Sequence, residues 1–379
     1  MTATSAQPAE RFLDIVKGSL GPRFRERAPA QDASGHFVAD NYRELAEHRF
    51  FSAAVPAELG GGGVSHRGIA EVLRELAHYC PSTALAFSMH THLVAAAVWR
   101  HRHGQPSEAL LRKVAAGELC LVSTGAGDWV DSVGRAQRVP GGYRVSALKR
   151  FCSGAPAGSL LVTSAPHDDE ARGPEVLHFA VPLSAEGVVV KSDWDTLGMR
   201  ATGSHSIELS DVFVPEEAIV LRRPRGEWHG VWNVVLTVAA PLYMAPYVGV
   251  AERAAEVARL AVRERAPEPA LLVGLGELEN QVTLAQLAWR SMLDIADDYA
   301  PTPTLADANR TLVRKTLTAN AARAAVLAAL ETTGGGALFR RMELERLFRD
   351  VQGAPFHPLP EKKQLVFTGR VALGLSPIG

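Results

Sequence analysis

Leu197-Gly198-Met199-Arg200-Ala201-Thr202-Gly203-Ser204, running on through His205 to Leu209-Ser210-Asp211-Val212-Phe213-Val214-Pro215, is the stretch that decides the fold. Its first half is dense in Gly, Ser and Thr, which favour turns, and it passes into a β-type run at His205–Leu209. Gly203-Ser204 follows Thr202 without the second glycine of a GxSxG elbow, so this serine is not read as a nucleophile. Upstream, from about Cys120, comparable runs recur at Tyr143–Leu148, Ser159–Ala165, Leu177–Pro182 and Val188–Val190. Pro140-Gly141-Gly142 and His167–Gly173 supply turns between them. Short strands at this spacing, with no helix between, predict an antiparallel sheet or barrel up to about Arg222 rather than a βαβ unit.

On both sides of this region the pattern becomes helical. Between Glu10 and Gly117, Ile69, Leu73, Leu76 and Ala77 recur at three- and four-residue spacing, and Leu85–Val98 is a second apolar helix. Pro56 and Gly60–Gly63 mark a turn before them. From Val231 onward, Leu236–Leu260, Gly276–Tyr299 and Leu305–Thr333 read as long Ala/Leu-rich helices. Pro241 and Pro246 place a kink in or near the first, and Pro301-Thr302-Pro303 separates the second from the third. A helical bundle buries such faces most simply. The expected fold class is α+β: an N-terminal α-helical domain (1–118), a central antiparallel β-barrel (119–222) and a C-terminal four-helix bundle (223–379).

A chain of 379 residues exceeds one hydrophobic core. Forty basic against 41 acidic residues give a net charge of −1, no footprint for nucleic acid or an anionic membrane. No stretch approaches the roughly 18 uninterrupted apolar residues of a membrane span. The start, MTATSAQPAERFLDIV, lacks the basic-then-apolar order of a secretory signal. Cys80, Cys120 and Cys152 form no CxxC pattern and no disulfide framework. A cytoplasmic location is expected. Gly125-Ala126-Gly127 and Gly274-Leu275-Gly276 are too short for a Rossmann phosphate loop, and no GxxxxGK[ST] occurs. His90 and His92, like His101 and His103, stand two apart and face different ways on a helix, so no metal site is expected.

The opening stretch resembles the barrel signature of the acyl-CoA dehydrogenase family, a Leu-Gly-x-Arg-x-Ser/Thr turn followed by an Asp-Val-x-Val-Pro exit. Lys149-Arg150-Phe151-Cys152-Ser153-Gly154 resembles a second family strand. Gly334-Gly335-Gly336, Leu344-Glu345-Arg346-Leu347 and Arg349-Asp350 resemble the run before the family's last helix. The matches fall in family order over nearly the whole chain. The resemblance implies FAD wedged between barrel and bundle. Leu121, Ser123, Thr124 and Gly127 would lie along the flavin pyrimidine edge, Phe151 would cover the ring, and Ser153 would stand near N5. Gly334 and Gly335 would approach the adenosine diphosphate of a neighbouring subunit, which implies a homo-oligomer, a homotetramer or homodimer. Arg263 fits the family's pyrophosphate arginine, with a solvated helix-end charge as the other reading. Two departures stand out: Ser123-Thr124-Gly125 replaces Thr-Glu-Pro, and Ala266-Pro267-Glu268 replaces the Phe-Gly after the arginine.

A family dehydrogenase removes the α-proton of an acyl thioester such as an acyl-CoA with a glutamate while hydride passes to flavin N5. The base must lie within hydrogen-bond reach of that proton. Counted from Arg349-Asp350, the usual glutamate position falls on Pro358, and the minority position falls on Asn233. Glu361 is the nearest carboxylate. His357 fills the gap, and an imidazole can act as acid or base near neutrality. Monooxygenases of the same fold resemble the chain here, with a histidine before this turn, one in the N-terminal helices, for which His90 or His92 would serve, and a serine near N5. Three functions are therefore open: dehydrogenation with an electron-transfer partner, monooxygenation of an aromatic or amine substrate by reduced flavin from a reductase (FMN as reduced co-substrate), or an idle binding relative. Structural readings stand beside them, with His357 capping a helix start, His90 and His92 packing a helix, and Ser153 an ordinary strand serine.

Overall fold

The computed structural model describes residues 8–300 and 302–379. Pro301 of the predicted helix break, and the first seven residues of the segment read for a signal, lie outside them. The N-terminal domain comprises α1 (Pro8–Ile15), α2 (Gly21–Ser34), α3 (Ala39–Glu47), α4 (His66–Ala77), α5 (Pro81–Arg102) and α6 (Glu108–Ala115). The Ser65 side chain caps α4 by accepting from the Gly68 amide, and Ile69, Leu73, Leu76 and Ala77 form its buried stripe. Pro81 opens α5, which is longer than the apolar run alone indicates and is buried almost all round.

The central region holds β1 (Leu121–Val122), β2 (Arg135–Val139), β3 (Gly142–Lys149), β4 (Leu160–Asp169), β5 (Gly173–Pro182), β6 (Val188–Val190), β7 (Ile207–Pro215) and β8 (Leu221–Pro224). The sequence predicts an antiparallel barrel; the described strands form two four-stranded sheets, ordered β1-β4-β5-β8 and β2-β3-β7-β6, with no closed barrel among them. The β1–β4 pair is parallel, and the other pairs run antiparallel. One apolar core, including Tyr143, Val145, Leu161, Phe179 and Leu209, draws side chains from both sheets, which explains the barrel-like alternation. The turn expected over His167–Gly173 is tighter, because β4 and β5 stay paired to Asp169 and Gly173.

The C-terminal helices are α7 (Val231–Val262), α8 (Pro269–Ala296), α9 (Leu305–Thr333), α10 (Leu344–Val351) and α11 (Glu361–Ala372). Three long helices and two short ones thus stand where a four-helix bundle is expected. Pro241 and Pro246 both lie inside α7, and the Trp289 indole of α8 donates to the Pro241 carbonyl. By length and composition α7 matches a membrane span, but 89% of its apolar window is packed inside the protein. The opening turn docks the sheets on the bundle: Met199 N–H donates to Asp350 of α10, and a Cβ on Gly198 would stand 2.1 Å from the Arg349 carbonyl.

Candidate active site

The end of β3 shapes one wall. Phe151 has φ 58 and is 61% exposed, an outlay of apolar surface that a strand end does not otherwise need. Its ring meets Trp194 edge-on at 6.0 Å. Gly125 lies against it: a Cβ there would stand 2.9 Å from the Arg150 carbonyl and 3.0 Å from Phe151. The loop bearing Thr124 and Gly127 is tied down at Asp128, whose carboxylate receives the buried Lys149 ammonium at 2.9 Å. That ammonium also donates to the Ser164 and Val133 carbonyls at 2.6 and 2.7 Å. Ser123 is buried and Thr124 half-buried.

Ser153 belongs to a row of hydroxyls. Its Oγ lies 2.7 Å from Ser204 Oγ, which lies 2.7 Å from Thr202 Oγ1, and Thr202 donates to the Met199 carbonyl at 2.9 Å. Ser204 and Thr202 thereby join the site from the turn first quoted. Sequence reading passes over them because only the folded turn brings position 204 against 153.

A second cluster comes from α7 and the turn after α10. Tyr243 and Tyr247, one turn apart, project together; Tyr243 stacks on His357 at 5.0 Å and 22°, and Tyr247 Oη lies 2.8 Å from His357 Nε2. Tyr243 O–H donates to the Pro358 carbonyl at 2.8 Å, and buried Lys315 of α9 donates to the Leu359 carbonyl at 2.8 Å, so the turn is strapped from two helices. Burial, with the Lys315 charge and His92 nearby, lowers the His357 pKa to about 3. Lys315 itself is lowered to about 8 by burial. His357 is therefore neutral near pH 7. Tyr247 Oη has no other hydrogen-bond partner among the described residues, so the phenol and the imidazole are held as a pair.

His90 and His92 have opposite fates. His90 Nδ1 accepts the Leu121 amide at 2.9 Å and Nε2 donates to the Phe51 carbonyl at 2.9 Å. Both nitrogens are committed to backbone, so the catalytic reading of His90 is corrected to a structural tie between α5 and β1. This also removes the Leu121 amide from any role along a flavin edge. His92 Nδ1 lies 3.2 Å from the Ser88 carbonyl, its Nε2 has no hydrogen-bond partner among the described residues, and burial lowers its pKa to about 4.

A model of the acyl-CoA dehydrogenase N-terminal domain matches residues 8–118, and one of the acyl-CoA dehydrogenase C-terminal domain matches 242–359. The chain belongs to the acyl-CoA dehydrogenase family. It is a flavin-dependent oxidoreductase of that family. Among its relatives, L-evernosamine nitrososynthase from a Micromonospora species is 30% identical over 71% of this chain and 66% of that protein. The HsaA oxygenase subunit of a flavin-dependent monooxygenase of Mycobacterium tuberculosis is 26% identical over 100% of this chain and 99% of that protein. KijD3, solved in complex with FMN and an amino-deoxy dTDP-sugar, is 28% identical with a TM-score of 0.87, covering 99% of this chain and 96% of that one.

Within this acyl-CoA dehydrogenase fold neither glutamate position carries a carboxylate. Asn233 accepts from the Trp228 indole at 2.9 Å, and Pro358 is held by Tyr243. Glu361 sits in the first turn of α11, 3.7 Å from Lys362. The far cofactor positions lie elsewhere. Arg263 is exposed and meets Glu264 at 3.3 Å, whereas Arg265 donates to the Thr333 carbonyl beside Gly334. Gly334 (φ 78) and Gly335 have open space where a Cβ would stand. His167, Asp169 and Glu175 bring ligand-type atoms within 4.8 Å of one another, but Arg172 and Arg222 already bind the carboxylates.

Proposed function

We propose that this chain is the oxygenase of a reduced-flavin monooxygenase, taking FMN as a reduced co-substrate from a separate reductase and oxidising an amine, in the class of amino sugars. This replaces acyl thioester dehydrogenation with FAD as the leading reading. One observation carries it: where a dehydrogenase needs a carboxylate base, the chain presents a neutral imidazole held by Tyr243 and Tyr247. An imidazole lowered to about 3 is a poor base for an α-proton, yet its N–H is a fixed donor over the whole neutral range.

The residues at the site fit a flavin. Phe151 offers an exposed apolar face, the Gly125 backbone packs too closely on it for a Cβ, and Ser153 follows two residues on. Bound there, reduced FMN would supply the two electrons that reduce dioxygen, one oxygen entering the substrate and the other leaving as water. Ser153 and His357 would hold polar atoms in place on opposite walls. His92, whose Nδ1–H is held by the Ser88 carbonyl, would offer Nε2 as a hydrogen-bond acceptor to an amine or hydroxyl of the substrate. The packed aromatic rings of Tyr243, Tyr247 and His357 would keep bulk water from the reacting atoms. Two relatives support the substrate class, the L-evernosamine nitrososynthase by its name and KijD3 by its bound amino sugar nucleotide. Exposed Leu338 and Phe339, just after the glycine run, suit contact with a second copy.

The test pairs two assays. Oxidised flavin-loaded protein is mixed anaerobically with a panel of acyl-CoAs, and separately the protein is given FMN, a flavin reductase, NADH and a set of amino sugar nucleotides in air. The expected result is no bleaching by any acyl-CoA, with an oxygenated product in the second assay. Bleaching by an acyl-CoA would overturn the proposal.

A further inference from the structure

We infer that Thr202 and Ser204 act as positioning residues that turn the Ser153 hydroxyl into a pure acceptor, so that the site selects reduced over oxidised FMN. The inference rests on the reading above that a flavin edge lies at Ser153. It assigns these two residues a task that the fold alone does not require of them.

The argument is one of proton counting. A hydroxyl has a single proton and accepts through its lone pairs. Thr202 Oγ1 stands 2.9 Å from the Met199 carbonyl, which can only accept, so the Thr202 proton is spent there. The 2.7 Å contact between Thr202 and Ser204 must then use the Ser204 proton, and the 2.7 Å contact between Ser204 and Ser153 must use the Ser153 proton. Ser153 has only lone pairs left to offer a ligand. The opposite order would set a Thr202 lone pair against a carbonyl oxygen at 2.9 Å. Thr202, Ser204 and Ser153 are 0%, 5% and 9% exposed, so little water is at hand to relieve that clash. Each bond in such a row also polarises the next.

The anchor of the row is itself fixed. Met199 N–H donates to Asp350 at 2.5 Å, and the Trp194 indole donates to the Met199 carbonyl at 3.2 Å. The same Trp194 packs against Phe151, the proposed ring cover. Direction therefore runs from α10, through the 197–204 turn, to the strand end that faces the ring.

Flavin N5 reverses its own polarity on reduction. In the oxidised ring it is a lone pair; after gain of two electrons and a proton it is an N–H donor. An acceptor-only Ser153 matches the reduced ring and opposes the oxidised one. An enzyme that draws reduced flavin from solution and releases it oxidised gains from this order, whereas a dehydrogenase that must hold oxidised flavin gains from the opposite order.

The test measures affinity of the full-length chain for FMN in air and for FMNH2 anaerobically, with thermal midpoints recorded for every variant. Wild type is expected to bind FMNH2 at least tenfold more tightly. Ser204→Ala frees the Ser153 proton for oxidised N5 and is expected to reduce the preference roughly five- to tenfold. A tenfold loss lowers the two-electron potential of bound flavin by about 30 mV. Thr202→Val, which swaps hydroxyl for methyl at equal size, is expected to do the same, and Thr202→Ser to retain the preference. Should Ser204→Ala not fold, the Thr202 pair reads the same link. Flavin binding without a preference, or with one that survives Thr202→Val, overturns this inference and leaves the flavin reading standing. No binding of either form by wild type overturns both.

Discussion

The two walls of the candidate site solve the same problem by different physics. On the sheet side, small hydroxyls are aligned by a chain of hydrogen bonds ending on Met199 and Asp350, so that direction is set by proton counting. On the bundle side, large aromatic rings enclose His357, and its state is set by desolvation. The hydroxyl wall joins the end of β3 to the 197–204 turn, while the imidazole wall needs α7, α9 and the turn after α10 together.

Replacing His357 should break the comparison most sharply. His357→Asn is expected to lower substrate-coupled oxygen consumption about 100-fold while leaving FMN affinity within about twofold; a steady-state assay beside a flavin titration checks both. His90 and His92 offer the next contrast. His90→Ala orphans the Leu121 amide and the Phe51 carbonyl, each costing about 1–3 kcal/mol, and should lower the denaturation midpoint markedly. His92→Ala loses one bond to its own helix and should shift stability by under about 1 kcal/mol while impairing turnover. Equal midpoints for the two variants would contradict the assignment.

Asp350 sharpens the comparison from its hydroxyl end. Burial raises its pKa to about 6, so the folded state holds this proton more tightly than the unfolded chain does. The charged form is penalised: the penalty is absent below the ordinary aspartate pKa, grows as pH rises from about 4 to 6, and is full above that. The full penalty corresponds to about 3 kcal/mol. Asp350→Asn keeps an acceptor for Met199 N–H, and thermal melts from pH 4 to 7 should show its stability falling less with rising pH than wild type. The smallest effect belongs to Phe151→Ala. An exposed ring contributes little to folding, so stability should stay within about 0.5 kcal/mol. FMN affinity should fall about three- to tenfold by titration.

Much of the layout is legible before folding. The stripe Ile69, Leu73, Leu76, Ala77 and the long apolar α7 and α9 carry their periodicity in plain view, and the 197–204 turn announces itself by composition. What stays hidden is pairing between distant segments. Sheet closure depends on which strands meet, and β1 pairs with β4 some forty residues on, which no local pattern encodes. His90 and His92 look alike in sequence because what separates them, the Leu121 amide and the Phe51 carbonyl, arrives from two other elements. Tyr243 and Tyr247 do share a helical face, a signal that points to a paired role once His357 is suspected.

Rapid mixing of the FMNH2-loaded protein with oxygenated buffer tests the central claim most directly. If two neutral walls shelter the reduced ring, an oxygenated-flavin absorbance should persist for seconds or longer before oxidised FMN appears, and His357→Asn should shorten it. Immediate reoxidation at the rate of free FMNH2, unchanged by that substitution, would contradict the account.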